Sequence, residues 1–218
     1  MRGANAFWNS FYSGFLDLLY PPKCALCGEL GPKSICESCF ATFSRAPAGE
    51  HRTIHGVTAT CALYPYSERM AQAVTRLKYE RATALAAPMA ELMRKGAEEF
   101  DLLVADIIVP VPIHWTRRFL RGFNQSELLC EAMPKESVRP DALRRIRATR
   151  PQVGLDRAAR LRNLSGAFRA SPSVAGKTVL LVDDVLTTGH TAEECTKVLL
   201  RAGATDVRAL FFAGDRAM

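Results

Sequence analysis

Apolar positions recur along the chain in two rhythms, and their alternation sets the expected architecture. Phe7, Phe11, Phe15 and Leu18 or Leu19 fall at helical spacing, and Pro21 and Pro22 end the run. Residues 44–56 hold Pro, Gly and His without periodicity and read as a linker. From Val57 to Tyr66 the chain is β-prone. Helical spacing returns with Met70, Ala73, Val74 and Leu77. A second helix is predicted from about Ala82 to Gly96, with Leu85, Met89, Leu92 and Met93 on one face. Asp106 to Pro112 reads as a buried strand, followed by a helix from around Asn124 to Met133 and a short strand over Leu143 to Arg147. The segment 148–163 is polar and Arg-rich, without an apolar stripe. Thr178 to Val182 is the clearest strand, a β-branched and Leu run. Ala192, Cys195, Val198, Leu199 and Ala202 make the next helix, closed by Gly203, and Val207 to Ala213 is a last strand. Strands alternating with helices predict an α/β fold, with a mostly parallel sheet covered on both faces.

The first aromatic run is too short to cross a bilayer, which needs about 20 apolar residues, and Asn9, Ser10, Ser13 and Asp17 interrupt it. It lacks the layout of a signal peptide, so it is expected to pack as an amphipathic helix on the body of the protein, with no integral membrane segment. The chain carries 29 basic and 22 acidic residues, a net charge of +7. That excess suits an anionic partner, phosphate or nucleic acid, and equally a solvated basic surface.

Of seven cysteines, four are clustered. Cys24-x2-Cys27 and Cys36-x2-Cys39 are separated by eight residues, a spacing that lets two tight turns deliver four thiolates to one tetrahedral ion. Gly28 follows the first pair, where such a turn favours a residue without Cβ. Structural zinc is the expected occupant; a two-disulfide staple and an iron–sulfur cluster are the alternatives. Four thiolates leave no open position, so the site is not a catalytic one. Thiol ligands without a signal peptide point to the reducing cytoplasm. Cys61, Cys130 and Cys195 lie in apolar stretches and read as small core residues.

The most informative segment runs from Val179 to Thr191. A buried strand delivers Asp183 and Asp184 to its C-terminal end, and a turn of Thr187, Thr188, Gly189, His190 and Thr191 opens a helix. In an open α/β sheet, that edge is where ligands bind. Backbone N–H groups at the helix start and the threonine hydroxyls suit a sugar 5-phosphate. Two carboxylates would repel a phosphate directly; they suit vicinal ribose hydroxyls and a magnesium ion held through water. The plainer alternative is a turn-capping Asp184 with threonines as loop filler.

This loop resembles the 5-phosphoribosyl-1-pyrophosphate (PRPP) signature of type I phosphoribosyltransferases. With the four-cysteine knuckle, the chain is similar to the ComF family of competence-associated proteins. Leu77-Lys78-Tyr79 and Arg121-Gly122-Phe123-Asn124-Gln125 look like two of that family's motifs, and Gln152, Arg160, Asn163, Gly166, Ala167 and Phe168 follow a third pattern. The resemblance implies a zinc-binding N-terminal part over 1–45 and a phosphoribosyltransferase-type domain over 57–218. It also implies that Val109-Pro110-Val111-Pro112 begins a pyrophosphate-facing loop, with Pro112, Arg121 and Lys78 as candidate contacts, and that the Arg-rich stretch 144–163 is a loop closing over substrate. Bland alternatives stand beside these roles. Lys78 could be a solvated helix residue, Arg117, Arg118 and Arg121 a surface charge run, and His114 and His190 turn or cap residues. No residue is assigned as catalytic.

Three functions follow from the resemblance. One is phosphoribosyl transfer with release of pyrophosphate to an acceptor that the sequence does not reveal. Another is a non-catalytic protein of natural transformation that binds single-stranded DNA, with PRPP as ligand and a competence helicase as partner. Nucleobase salvage is the third, disfavoured because it has no use for the knuckle. Between Arg139 and Arg169 lie nine arginines and two acids, Asp141 and Asp156. Such a stretch can follow a nucleic-acid backbone or bind pyrophosphate.

Overall fold

The structure, a computed structural model, describes residues 21–43, 53–80, 82–148 and 164–214. Its chain divides into two compact units between Thr42 and Phe43. The helix expected over Phe7 to Tyr20 and most of the 148–163 stretch lie outside the described residues.

In the first unit the chain doubles back on itself. Lys23 and Leu30 pair as an antiparallel bridge, and the Gly31 N–H donates to the Pro22 carbonyl at 2.9 Å. A short helix, α1 (Glu37–Ala41), follows with Cys36 at its N-cap.

The second unit is built on β1 (Ala59–Pro65), β2 (Ile107–Pro110), β3 (Leu143–Arg145), β4 (Phe168–Ala170), β5 (Thr178–Leu186) and β6 (Asp206–Gly214). Four of them form one sheet in the order β1-β6-β5-β2, with every pairing parallel. Central β5 is buried from Val179 to Val182, and its unbroken apolar run is what burial on both faces requires. Its pairing with β6 continues to Leu186, so Asp183 and Asp184 lie within the strand rather than beyond it. The expected strand at Leu143 is present but shorter. It pairs antiparallel with β4 in a separate two-stranded sheet. With three residues, β4 is too short to show an alternation.

The helices of this unit are α2 (Glu68–Tyr79), α3 (Ala86–Glu99), α4 (Trp115–Arg121), α5 (Gln125–Leu129) and α6 (His190–Arg201). Ser67 caps α2, accepting the Met70 N–H, and Met70, Ala73, Val74 and Leu77 are its buried face, as their spacing predicts. A 3-10 turn over Thr83–Leu85 delays the start of α3 to Ala86. The α4 segment escaped the periodicity because it has no buried residue; Trp115, Phe119 and Leu120 all point outward. By contrast α5 stops well short of Met133, with Pro134 just beyond.

Gly96 does not end α3. It is buried, and a Cβ there would lie 2.2 Å from Leu63 Cδ2, on a side chain that is itself only 1% exposed. Alanine is favoured over glycine in a helix by about 1 kcal/mol, but overpacking a closed core costs about 1–3 kcal/mol. Gly96→Ala is therefore expected to lower the thermal midpoint despite its better propensity. A raised midpoint would show that Leu63 can move aside.

Candidate functional site

The four cysteine sulfurs of the first unit all lie within 4.8 Å of one another. Zinc–thiolate bonds of about 2.3 Å at tetrahedral angles give sulfur separations of about 3.8 Å, and Cys27 Sγ to Cys36 Sγ is 3.6 Å. All four are free thiols, so the disulfide staple is not the arrangement found. The N–H groups of Leu26 and Cys36 point at Cys24 Sγ, at 3.4 and 3.3 Å. Burial opposes ionisation of Cys24, yet these backbone donors together with that of Cys27 bring its pKa down to about 6. Burial and the neighbouring sulfurs push Cys39 up to about 12. Four close thiols cannot all ionise without a cation among them, and the soft sulfur donor set fits zinc.

In the second unit, the candidate residues gather at the C-terminal edge of the sheet. Lys78, near the end of α2, places Nζ 2.6 Å from Asp184 Oδ2. The contact is one of charge with charge and lacks the angle of a directed hydrogen bond. Burial opposes the Lys78 charge, but the Asp184 carboxylate holds its pKa above the ordinary lysine value. Asp183 accepts hydrogen bonds at Oδ1 from Ser126 Oγ (2.8 Å) and from the Asp184 N–H (2.9 Å). Burial and the adjacent Asp184 charge nevertheless raise its pKa to about 7.

Ser126 is fully buried at the start of α5, and nothing in the sequence singled it out. The Arg-Gly-Phe-Asn-Gln motif stops one residue before it. Its position follows from Asn124, whose side chain accepts the Ser126 N–H and donates to the Val111 carbonyl at 3.0 Å. The end of β2 is thereby tied to Asp183. Val111 also extends the β2 ladder, donating to the Val182 carbonyl at 2.8 Å, and part-buried Pro112 follows it.

Arg121 ends α4 beside the same edge. Its guanidinium stacks on the Tyr79 ring at 5.2 Å and donates to Gln125 Oε1. Burial lowers the pKa of Arg121, Tyr79 and Asp184 oppose that, and Arg117 adds to it. Arg121 and Lys78 thus both lie in the field of Asp184. Arg118 turns elsewhere, pairing with Glu127 at 2.6 Å.

After β5 the turn of Thr187 and Thr188 leads to Gly189, the N-cap of α6, at φ +80°. That conformation needs glycine, and a Cβ would also press on Ile54 Cγ1 at 3.2 Å. The first N–H groups of α6 have no acceptor within the helix and face the loop. The His190 ring is buried, and its Nδ1 lies 3.0 Å from Thr188 Oγ1. What His190 can offer a phosphate is therefore its backbone N–H rather than its ring. His114 caps α4, accepting the Thr116 N–H at Nδ1, which also lies 2.8 Å from Thr116 Oγ1. His190 is instead the first residue of α6, directly after the Gly189 cap.

The Arg-rich stretch is not uniform. Arg144 is exposed, and Arg147 donates to the Ser165 carbonyl at 2.6 Å. Arg145 instead turns inward over the Phe168 ring, at 5.2 Å, with its Nε buried. Arg150, Arg157, Arg160 and Arg162 lie outside the described residues. Among the described residues, no helix is long and apolar enough to cross a membrane.

Comparison with known proteins agrees with both halves of the chain. The phosphoribosyl transferase domain family matches residues 134–217, and the double zinc ribbon domain family matches residues 15–51. The chain is 33% identical over 199 residues to the DNA utilization protein YhgH of Escherichia coli K12, covering 85% of this chain and 87% of that protein. It is 28% identical to Competence protein F of Haemophilus influenzae, over 86% of this chain and 82% of that one. Competence protein ComFC of Streptococcus pneumoniae is 29% identical, over 85% of this chain and 78% of that one.

Proposed function

The chain belongs to the ComF family of competence-associated, phosphoribosyltransferase-like proteins, and from that premise we propose that its sheet edge binds PRPP together with magnesium. The observation that carries this reading is the order of groups along β5 and α6. A carboxylate pair stands in the strand, and a glycine-capped helix start follows it within five residues. The turn from Thr187 to Thr191 holds the 5-phosphate through N–H and hydroxyl donors. Asp183 and Asp184 accept the ribose hydroxyls. Lys78, Arg121 and the loop at Pro112 face the pyrophosphate. Magnesium, when bound, offsets the pyrophosphate charge, and the two aspartates supply the hard oxygen donors it prefers.

Held this way, PRPP is set for displacement of pyrophosphate from its anomeric carbon. The contribution of the chain is to fix the ribose, neutralise the leaving group and keep water away. The names of its relatives, a DNA utilization protein and two competence proteins, support a role in DNA utilization or competence; handling of incoming DNA in the cytoplasm, with a competence helicase as partner, is part of the proposal. Calorimetric titration tests the ligand. PRPP with magnesium should bind, and ribose 5-phosphate should still bind through the phosphate turn alone. Binding of neither at millimolar concentration would overturn the reading.

One observation favours a second activity, binding of single-stranded DNA. Trp115 is 70% and Phe119 83% exposed on α4, interleaved with Arg117 and Arg118. Exposed aromatic faces beside arginines suit base stacking along a charged backbone. Log affinity should then fall linearly with log salt, by about 0.7 per neutralised phosphate. Replacing the outward Arg144 and Arg147 by Ala should flatten the slope by up to about 1.4. No measurable binding at low salt would leave these arginines to the PRPP site.

A further inference from the structure

A chain of hydrogen bonds leaves β5 at Val182 and returns to it at the next residue. The Val111 N–H donates to the Val182 carbonyl at 2.8 Å, and the Val111 carbonyl accepts from Asn124 Nδ2 at 3.0 Å. Asn124 Oδ1 accepts the Ser126 N–H at 3.2 Å, and Ser126 Oγ donates to Asp183 Oδ1 at 2.8 Å. Val111, Asn124, Ser126 and Val182 are each 4% exposed or less. Water does not compete for these groups, and each donor has its acceptor, so the Ser126 hydroxyl is fixed before any ligand arrives.

That hydroxyl does not serve its own helix. A serine in a first helical turn commonly bonds to backbone nearby, whereas Ser126 reaches a carboxylate 57 residues away in sequence. Ser126 is completely buried, and alanine there would leave no polar group to satisfy and would be the better helix former. What serine adds is a direction given to Asp183. The two aspartates are held differently in this respect. Asp184 is met by the charge of Lys78, a contact without directed geometry. Asp183 takes two directed donors on one oxygen, Ser126 Oγ and the Asp184 N–H, both at Oδ1. The N–H comes with the strand itself; the hydroxyl is the tie supplied by another element. Together they hold the carboxylate against rotation and leave Oδ2 for a ligand. Asp183 is half-buried rather than sealed, so a ligand can reach it.

We propose that Ser126 is the positioning residue for Asp183, and that through it the site prefers a ribosyl 5-phosphate to its deoxyribosyl counterpart. This rests on the PRPP reading above, in which Asp183 accepts a ribose hydroxyl. A hydroxyl bonds a carboxylate strongly only over a narrow range of distance and angle. With Oδ2 held in place, the sugar hydroxyl gains the full contact, and a sugar lacking it leaves a desolvated carboxylate oxygen unpaired. In Ser126→Ala the carboxylate can turn, so the hydroxyl gains less and its absence costs less.

The test titrates the full chain, without metal, with ribose 5-phosphate and with its 2-deoxy and 3-deoxy analogues. These probes carry no pyrophosphate, so magnesium and the leaving-group contacts drop out. The wild type should bind ribose 5-phosphate at least about tenfold more tightly than the analogue lacking the hydroxyl that Asp183 accepts. That analogue is identified as the one whose disadvantage Asp183→Asn removes. Ser126→Ala should weaken ribose 5-phosphate about three- to tenfold, the range of one net hydrogen bond, and should leave that analogue nearly unchanged. Ser126→Thr, which keeps the hydroxyl, should retain the discrimination. In an Asp183→Asn background, Ser126→Ala should have almost no further effect on ribose 5-phosphate, and this comparison decides the matter even if threonine does not fit the closed position. Equal weakening of all three sugars by Ser126→Ala would make Ser126 a structural residue and overturn the proposal. So would unchanged affinities, an effect that persists in full in Asp183→Asn, or a wild type that binds all three sugars equally. A wild type that takes up neither ribose 5-phosphate nor PRPP overturns the underlying reading instead, and that appears in the first titration, before any variant is made.

Discussion

Asp184→Asn should damage both binding and stability, whereas Asp183→Asn should damage binding alone. Each substitution removes a charged acceptor for a ribose hydroxyl, a loss of about 1.5–3 kcal/mol, or roughly ten- to 150-fold in PRPP affinity. The difference lies in what each carboxylate does without ligand. Asp184 is 5% exposed and neutralises Lys78, which is 21% exposed. Removing one partner of a buried pair costs about 3–5 kcal/mol, and the water still reaching Lys78 puts the loss at the low end of that range. Asp183 is held in an unfavourable state by burial and by Asp184, so making it neutral relieves repulsion. The pH dependence follows with the sign of a raised acid. Its pKa is about 7 folded against about 3.9 unfolded. Between those values the folded protein binds the extra proton, so this group makes the unliganded chain less stable as pH rises from about 4 to about 7. Asp183→Asn should flatten that slope. Calorimetry and denaturation over this pH range measure all three effects. Unchanged PRPP affinity in both variants would remove the aspartates from the site.

The parts of this fold legible in the sequence are those in which one local rule acts alone. The β5 run is apolar because helices cover both of its faces, and the α2 stripe is apolar because one face of that helix is buried. The spacing of Cys24, Cys27, Cys36 and Cys39 fixes two turns within sixteen residues of chain, and no distant contact is needed to bring the sulfurs together. The elements that escaped depend on non-local partners. β4 exists because Phe168 and Ala170 meet β3, and α4 has no inward stripe to detect. The same holds at the candidate site. Asp183, Asp184 and the Gly189 turn are contiguous and announce themselves. Ser126, 57 residues before Asp183, reaches that carboxylate only because Asn124 ties its loop to the end of β2. Arg145 looks identical to Arg144 and Arg147 in sequence, and only the alternation of β3 against β4 turns it inward.

Cys36→Ser should abolish stoichiometric zinc and unfold the first unit while leaving the second able to bind PRPP. Wild-type protein purified without added metal should contain one zinc per chain. Structural zinc contributes about 10–16 kcal/mol of apparent binding energy in small metal-dependent folds. The described part of this unit has little else to rely on. It has one isolated bridge, a five-residue helix and few buried apolar side chains besides the cysteines, chiefly Leu26 and Ile35. Cys36 is the informative position because three features meet there. Its sulfur is a donor, its N–H donates to Cys24 Sγ, and it caps α1. Serine keeps the N–H and caps a helix at least as well as cysteine, so the substitution isolates the sulfur. The second unit has its own sheet and core, and Phe43, its first residue, packs on Tyr64 and Phe212 at 5.9 and 6.5 Å. Elemental analysis should read one zinc in the wild type and close to none in the variant. Proteolysis should then cut among residues 21–42 first, and PRPP titration should change less than twofold. An iron chromophore, or full retention of zinc by Cys36→Ser, would refute the four-thiolate site; a parallel loss of PRPP binding would show that the two units do not fold independently.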